Sequence, residues 1–341
     1  MLRRVGPAVM VLLVLSLVAA GCTDTVKPHH GTARSGLGDA MAAVRVSEPT
    51  TTYFAYSDLK ALRRIGAITE KRPSDRRWGD GEVGLGDFGS RAILLQQAIG
   101  LNVLGADTAV SVGSPPDSAT VLTGTTPVAT ITAKLTALGV KPRTFGSTDG
   151  WSAAPDNKVD VTGRFYQQTR MITQANQMVV DAHRFAASPN GETLQEVLGG
   201  GSSPLSEADS MPAMIDCLGP VVAAVVYRPT GASSPVDRIG VGVTLPGRAS
   251  GPQREILCVL PAPGKHDPVR ARVKTTMTGD AADPVTRSPI SSYLTGVAID
   301  DLGIMVRVTG TDPGDRPAGY LLRSIYTRTV EYFVGASTRP R

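Results

Sequence analysis

The segment from Thr108 to Gly139 constrains the fold more than any other part of the sequence. Thr108 to Val112 and Ala119 to Thr123 are short runs rich in β-branched and small residues, joined by the turn formers Gly113-Ser114-Pro115-Pro116-Asp117. A helix is predicted to follow at once. Thr126 is the expected cap, Pro127 suits a first turn because it has no amide to leave unpaired, and Val128, Ile131, Leu135 and Leu138 recur on one stripe before Gly139. Since these four residues share a face, the helix should lie on the sheet that the hairpin forms. With a further strand near Arg143 to Phe145, the pattern predicts an α+β fold.

The flanking sequence continues the mixture. Structure is expected to begin near Val44, with a strand at Tyr53 to Tyr56, a helix capped by Ser57, and a second helix from Ser90 to Ile99 that stops at Gly100. Further strands are predicted at Gln177 to Ala182, Val221 to Tyr227, Ile239 to Thr244, Ile256 to Leu260 and Ile304 to Val308. Helices are predicted from Ser188-Pro189 to Leu198, around Ser206 to Leu218, and from Tyr320 to Val334, where Leu322, Ile325, Tyr326, Val330 and Phe333 share a face. We expect antiparallel or mixed sheets with helices on one face, in two subdomains, 44–165 and 166–341.

Ahead of these elements, Arg3 and Arg4 precede an uncharged apolar run from Ala8 to Ala20, too short to span a bilayer but suited to a signal peptide. The run closes on Val18-Ala19-Ala20-Gly21-Cys22, which resembles the lipobox of bacterial lipoproteins, with Ala19 in place of the commonest leucine. The resemblance covers the first 22 residues. It implies cleavage of residues 1–21, a lipid on Cys22 and attachment to the outer side of the cell membrane, with 22–43 as a flexible tether. Plain secretory cleavage is the alternative, and Arg3-Arg4 followed by Val5-Gly6-Pro7 is a poor twin-arginine signal. Alanine, glycine and arginine usage with few lysines looks like that of high-GC actinobacteria. There the hairpin and the "TGTTPVATITAKLTALG" helix resemble a group of surface lipoproteins with no function to carry over. Setting Cys22 aside leaves Cys217 and Cys258, which an oxidising compartment should join as a disulfide; two buried thiols are the alternative.

Thirty-five basic and 30 acidic residues leave a formal charge of +5, and loss of Arg3 and Arg4 would reduce it by two. That near-neutral balance does not call for nucleic acid. Aromatics are 5% of the chain, so stacking platforms for sugars or bases are not expected. One basic cluster stands out: Lys60, Arg63, Arg64, Lys71, Arg72, Arg76 and Arg77, against Glu70 and Asp75. Combined with a lipid it would bind anionic lipid or an anionic envelope polymer. The alternative is a solubilising surface.

Motifs for chemistry are sparse. Gly84-Leu85-Gly86-Asp87-Phe88-Gly89 has the dinucleotide-binding spacing, but the residues before it, Arg76 to Glu82, cannot be a buried strand. Ser57-Asp58-Leu59-Lys60, Ser188-Pro189-Asn190 and Lys274-Thr275-Thr276 resemble the three motifs of the penicillin-binding and serine β-lactamase family, although the third lacks its glycine. That resemblance implies Ser57 as nucleophile with Lys60 and Ser188 assisting. Gly150-Trp151-Ser152-Ala153-Ala154 misses the nucleophile-elbow pattern, and His183 and His266 read as ordinary surface residues. Asp300-Asp301 and Asp312 with Asp315 lack the alternating spacing of a calcium loop. No cofactor or metal is expected. The sequence favours an exported, lipid-anchored, non-catalytic binding protein without naming a ligand or protein partner. The alternatives are a serine acyl-transfer enzyme and the solute-binding lipoprotein of a transporter.

Overall fold

The computed structural model describes residues 36–71, 77–199, 202–231, 234–248, 250–278, 280–314 and 316–338. The expected signal peptide, Cys22, residues 22–35 of the expected tether, Arg72 and Arg76 lie outside the described residues. Among the described residues twelve strands form one sheet, antiparallel at every junction. In chain order they are β1 (Tyr53–Asp58), β2 (Thr108–Ser114), β3 (Asp117–Thr123), β4 (Lys141–Phe145), β5 (Thr148–Ser152) and β6 (Gln177–Asp181). The rest are β7 (Arg184–Ser188), β8 (Val221–Tyr227), β9 (Val236–Thr244), β10 (Arg254–Pro261), β11 (Thr295–Leu302) and β12 (Met305–Thr311). Their spatial order is β11-β12-β10-β9-β8-β1-β2-β3-β7-β6-β5-β4.

The α+β class is as the ββα unit predicts, but the arrangement differs in three respects. First, the sheet crosses the expected boundary at 165/166: β6 and β7 fill the gap between β5 and β3, and β8 pairs with β1. The described residues form one compact unit. Second, helices cover both faces. On one lie α3 (Leu59–Arg64), α4 (Asp87–Ile99), α5 (Val128–Ala137), α6 (Arg164–Thr169), α9 (His266–Thr276), α10 (Tyr320–Tyr326) and α11 (Thr329–Phe333). On the other lie α1 (Gly36–Ala42), α7 (Gly191–Leu198) and α8 (Met211–Leu218), while α2 (Glu48–Thr52) leads into β1. Third, the expected tether ends early, because α1 buries Leu37 and Met41 against Phe54 and Tyr56 of β1.

Two-sided coverage follows from the strand sequences. In β8, Ala223, Val225 and Tyr227 face one helical layer and Ala224 and Val226 the other, and every residue of the strand is buried. Such a strand reads as a continuous apolar run rather than an alternation, as expected where both faces are packed. The Cys217–Cys258 disulfide ties α8 to β10 within the second layer.

The cap of α3 is Asp58, whose carboxylate accepts from the Ala61 amide at 2.8 Å. The expected cap, Ser57, is instead a fully buried strand residue whose Oγ accepts from the Gly84 amide at 2.9 Å. Likewise Pro127, not Thr126, occupies the N-cap of α5. The predicted C-terminal helix is broken into α10 and α11 at Arg328, which adopts a left-handed conformation (φ 56°).

Candidate ligand cleft

The most promising site opens on the α4/α10 face of the sheet, above β1, β2, β3 and β7, as a cleft of about 660 Å³. Its floor follows from the alternation in two strands. In β2, Val110 and Val112 turn to one layer while Ala109, Ser111 and Gly113 turn to the other; in β3, Ser118 and Thr120 share the floor face with Leu122. Small side chains at the hairpin end leave unfilled height where helices cover the rest of the sheet.

One wall is the 3-10 turn Gly79–Leu85 running into α4. It lies so close to the strands that a Cβ on Gly84 would come within 2.3 Å of the Ala109 carbonyl oxygen and 2.6 Å of the Ser57 amide nitrogen. Gly84 donates to Ser57 Oγ and accepts from Ser111 Oγ, both at 2.9 Å. Ser111 Oγ also lies 3.1 Å from Thr120 Oγ1. The glycine-rich motif is thus a close-packing device, with β2 behind it rather than a strand feeding it. Asp87 closes this wall by accepting from Gln174 Nε2 at 2.8 Å.

The opposite wall is α10, which carries Tyr326. A buried polar network fixes that helix. Glu255 of β10, fully buried, accepts from the amides of Gly319 (3.0 Å), Tyr320 (2.8 Å) and Leu321 (2.7 Å). Burial pushes its carboxyl up to about 7, against the pull of those backbone amides. Tyr320 stacks on Tyr293 at 4.5 Å and donates to Asp283 at 2.6 Å. Arg323 pairs with Asp80 of the opposite wall at 2.9 Å. Burial raises the Asp80 carboxyl, and Arg323 opposes that rise.

On the far side of the β2–β3 hairpin tip, a second groove of about 940 Å³ runs beside α7. Glu48, Asp117, Glu192 and Glu196 line it, and partial burial together with the other three carboxylates raises the Glu196 carboxyl.

The sequence-derived candidates are dispersed. Lys60, Arg64 and Lys71 are exposed. Arg63 is mostly buried and donates to the carbonyls of Leu104 (2.5 Å) and Ala106 (2.7 Å). Arg77 is internal as well, donating to the carbonyls of Gly314 and Gly251, to Gln253 Oε1 at 3.0 Å, and facing Asp312 at 3.9 Å. The basic cluster is therefore divided between surface and interior. Ser57 is buried whereas Lys60 is exposed and 3.7 Å from Asp107, so the serine and lysine of the first motif are not a pair. Ser188 Oγ donates to the Ser118 carbonyl at 2.8 Å, and Lys274-Thr275-Thr276 lies in α9 instead of a strand. Asn190 of the second motif caps α7 through the Thr193 amide. His266 faces Asp267 and Asp301, and His183 lies in the β6–β7 turn. Among the described residues no group of three or more His, Cys, Asp or Glu is placed to hold a metal ion. Among them too, no helix is long and apolar enough to cross a membrane.

The cleft residues Tyr53, Asp80, Asp87 and Tyr326 escaped the sequence reading. The readable signal was the small, polar alternate face of Ser111, Gly113, Ser118 and Thr120 beside an apolar one.

No protein-family model matches the chain, and no curated protein sequence does. A solved structure, crystal form IV of TP0453, is similar over 85% of this chain and 99% of that chain, at 9% identity and a TM-score of 0.36. That degree of likeness carries no argument about function.

Proposed function

We propose that this chain is an exported, lipid-anchored protein of the cell envelope whose folded part binds a ligand in the cleft beneath Tyr326, without chemistry of its own. The observation that carries the reading is the Cys217–Cys258 disulfide: both cysteines are buried and bonded, as suits an oxidising compartment. The sequence around Cys22 supports the anchor, and an open cleft of mixed polar and apolar lining over the sheet supports binding. Dispersal of Ser57, Lys60 and Ser188 gives the acyl-transfer reading no support. A two-lobed transporter receptor is less favoured, because one sheet runs unbroken through the described chain.

Intact-mass analysis of the protein purified from its own membranes tests the anchor, alongside a Cys22→Ser variant. The expected chain starts at Cys22 with added acyl mass, and the variant carries none. A chain retaining residues 1–21 with no acyl mass would sink the proposal.

A further inference from the structure

The chemistry of the cleft restricts its ligand. None of its described lining residues is basic, whereas Asp80, Glu82 and Asp87 contribute carboxylates. Arg323 offsets the charge of Asp80, so the like charge an anionic ligand would meet on the wall formed by the 3-10 turn and α4 centres on Asp87. Polar hydrogen-bonding groups are plentiful: Ser111, Ser118 and Thr120 on the floor, Ser90 and Gln174 at the side.

The tyrosines add a second, independent observation. Tyr53 of β1 and Tyr326 of α10 both line the cleft. Tyr326 is 68% exposed where it lines the cleft. Behind Tyr53, its cross-strand neighbour Tyr227 keeps a buried hydroxyl that is unpaired among the described residues. Tyrosines at a cleft whose lining mixes apolar surface with serine, threonine and glutamine groups suit a ligand with an apolar ring face and many hydroxyls of its own. Volume agrees, since about 660 Å³ lies within the usual range of about 300–1,000 Å³ for small-molecule sites.

Resting on the reading of this cleft as a binding site, the geometry points to a neutral saccharide as its ligand: a sugar ring packs on Tyr326, and its hydroxyls bond Asp87, Gln174 and the Ser118–Thr120 floor. Sparse aromatic composition argues against such a platform only while the tyrosines are counted along the chain; the fold brings two of them to one opening.

The test is a glycan array of neutral and acidic oligosaccharides, followed by isothermal titration calorimetry of the best neutral binder. Tyr326→Ala and Asp87→Asn should each weaken binding at least tenfold. Tyr326→Phe should weaken it less, and Glu192→Asn in the second groove should leave it unchanged. Circular dichroism of each variant separates lost binding from lost folding. Preference for acidic glycans, no neutral binder, or a neutral binder indifferent to Tyr326→Ala, Tyr326→Phe and Asp87→Asn would each overturn the assignment. Spermidine, titrated in parallel, distinguishes the failures. If spermidine binds and Asp87→Asn abolishes it, the cleft is a binding site for cations and the saccharide alone is wrong; if neither probe binds, the cleft reading falls with it.

Discussion

Arg323 donates to Asp80 across 2.9 Å, and this contact joins the two walls of the cleft, α10 and the 3-10 turn before α4. Arg323 also donates to the Ala318 carbonyl at 2.7 Å, so its head group is held from two sides. Arg323→Ala should cost about 1–2 kcal/mol, since the pair is charge-assisted but partly solvated. Urea unfolding would measure the loss. Hydrogen exchange should show faster opening in Gly79–Leu85 and α10 than in β8 and β9; uniform loosening would contradict a local role.

Glu255 sets the expected pH dependence. Its folded-state carboxyl titrates near 7 against an ordinary value of 4.5, so between those values the folded chain holds a proton that the unfolded chain has released. Stability should therefore fall as pH rises through that window, by on the order of 3 kcal/mol. Burial also raises the Asp80 and Asp312 carboxyls, which adds in the same direction. Asp156, lowered chiefly by its hydrogen bond from Arg143, acts the opposite way and only in more acid solution. Glu255→Gln should flatten the slope between pH 5 and 7.5, with a loss of about 1–2 kcal/mol at pH 5 because the amide cannot accept from all three backbone donors. An unchanged slope would show that Glu255 is not its source.

The disulfide closes a loop between positions 41 apart. Chain entropy gives an upper figure of about 4 kcal/mol, and native bridges typically contribute about 2–4 kcal/mol. Cys217→Ala with Cys258→Ala should lower stability within that range and leave ligand binding nearly intact, because the bridge lies on the face away from the cleft. Thermal unfolding with and without reductant is the direct measurement.

Gly84 has no room for a side chain. Gly84→Ala should cost about 2 kcal/mol or more by pushing the 3-10 turn off the strands. Gly66→Ala offers a contrast: nothing lies within 4 Å of its added Cβ, so its cost reflects only the strain of a φ of 77°. Equal losses would contradict the packing account.

The basic cluster should divide under mutation. Arg63→Ala should destabilise by about 2 kcal/mol, since it strands the Leu104 and Ala106 carbonyls. Replacing Lys60, Arg64 and Lys71 together should change stability by less than about 0.5 kcal/mol, and any effect on binding anionic vesicles should vanish with added salt. Vesicle co-sedimentation at two ionic strengths, beside urea titration, would reveal whether the two groups separate.

What the sequence conveyed depended on how strongly each element was patterned. The β2–β3 hairpin, α4 and β8 carry long apolar or turn signals and lie close to where the residues place them. In contrast, β11 is mostly exposed, and α9 buries only Val269, Val273 and Thr276, so neither had enough apolar periodicity to read. Ser57 looked like a cap because cap and strand-end serines are alike until a tertiary partner, here Gly84, claims the hydroxyl. Of the cleft only the floor was legible, as the small, polar alternate face of Ser111, Gly113, Ser118 and Thr120. Tyr53, Asp87 and Tyr326 are distant in sequence, and only sheet order and the Glu255 anchor of α10 bring them to one opening.

The position of β1 has a consequence for how the chain is made. Among the described strands it is the first to be synthesised yet sits inside the sheet, with β2 soon available for one edge and β8 arriving only much later for the other. Until Val221–Tyr227 emerges, a growing chain offers an unpaired apolar edge at what will become its centre, inviting mispairing. A chaperone that shields a single strand edge would therefore act on this protein before Val221–Tyr227 has appeared.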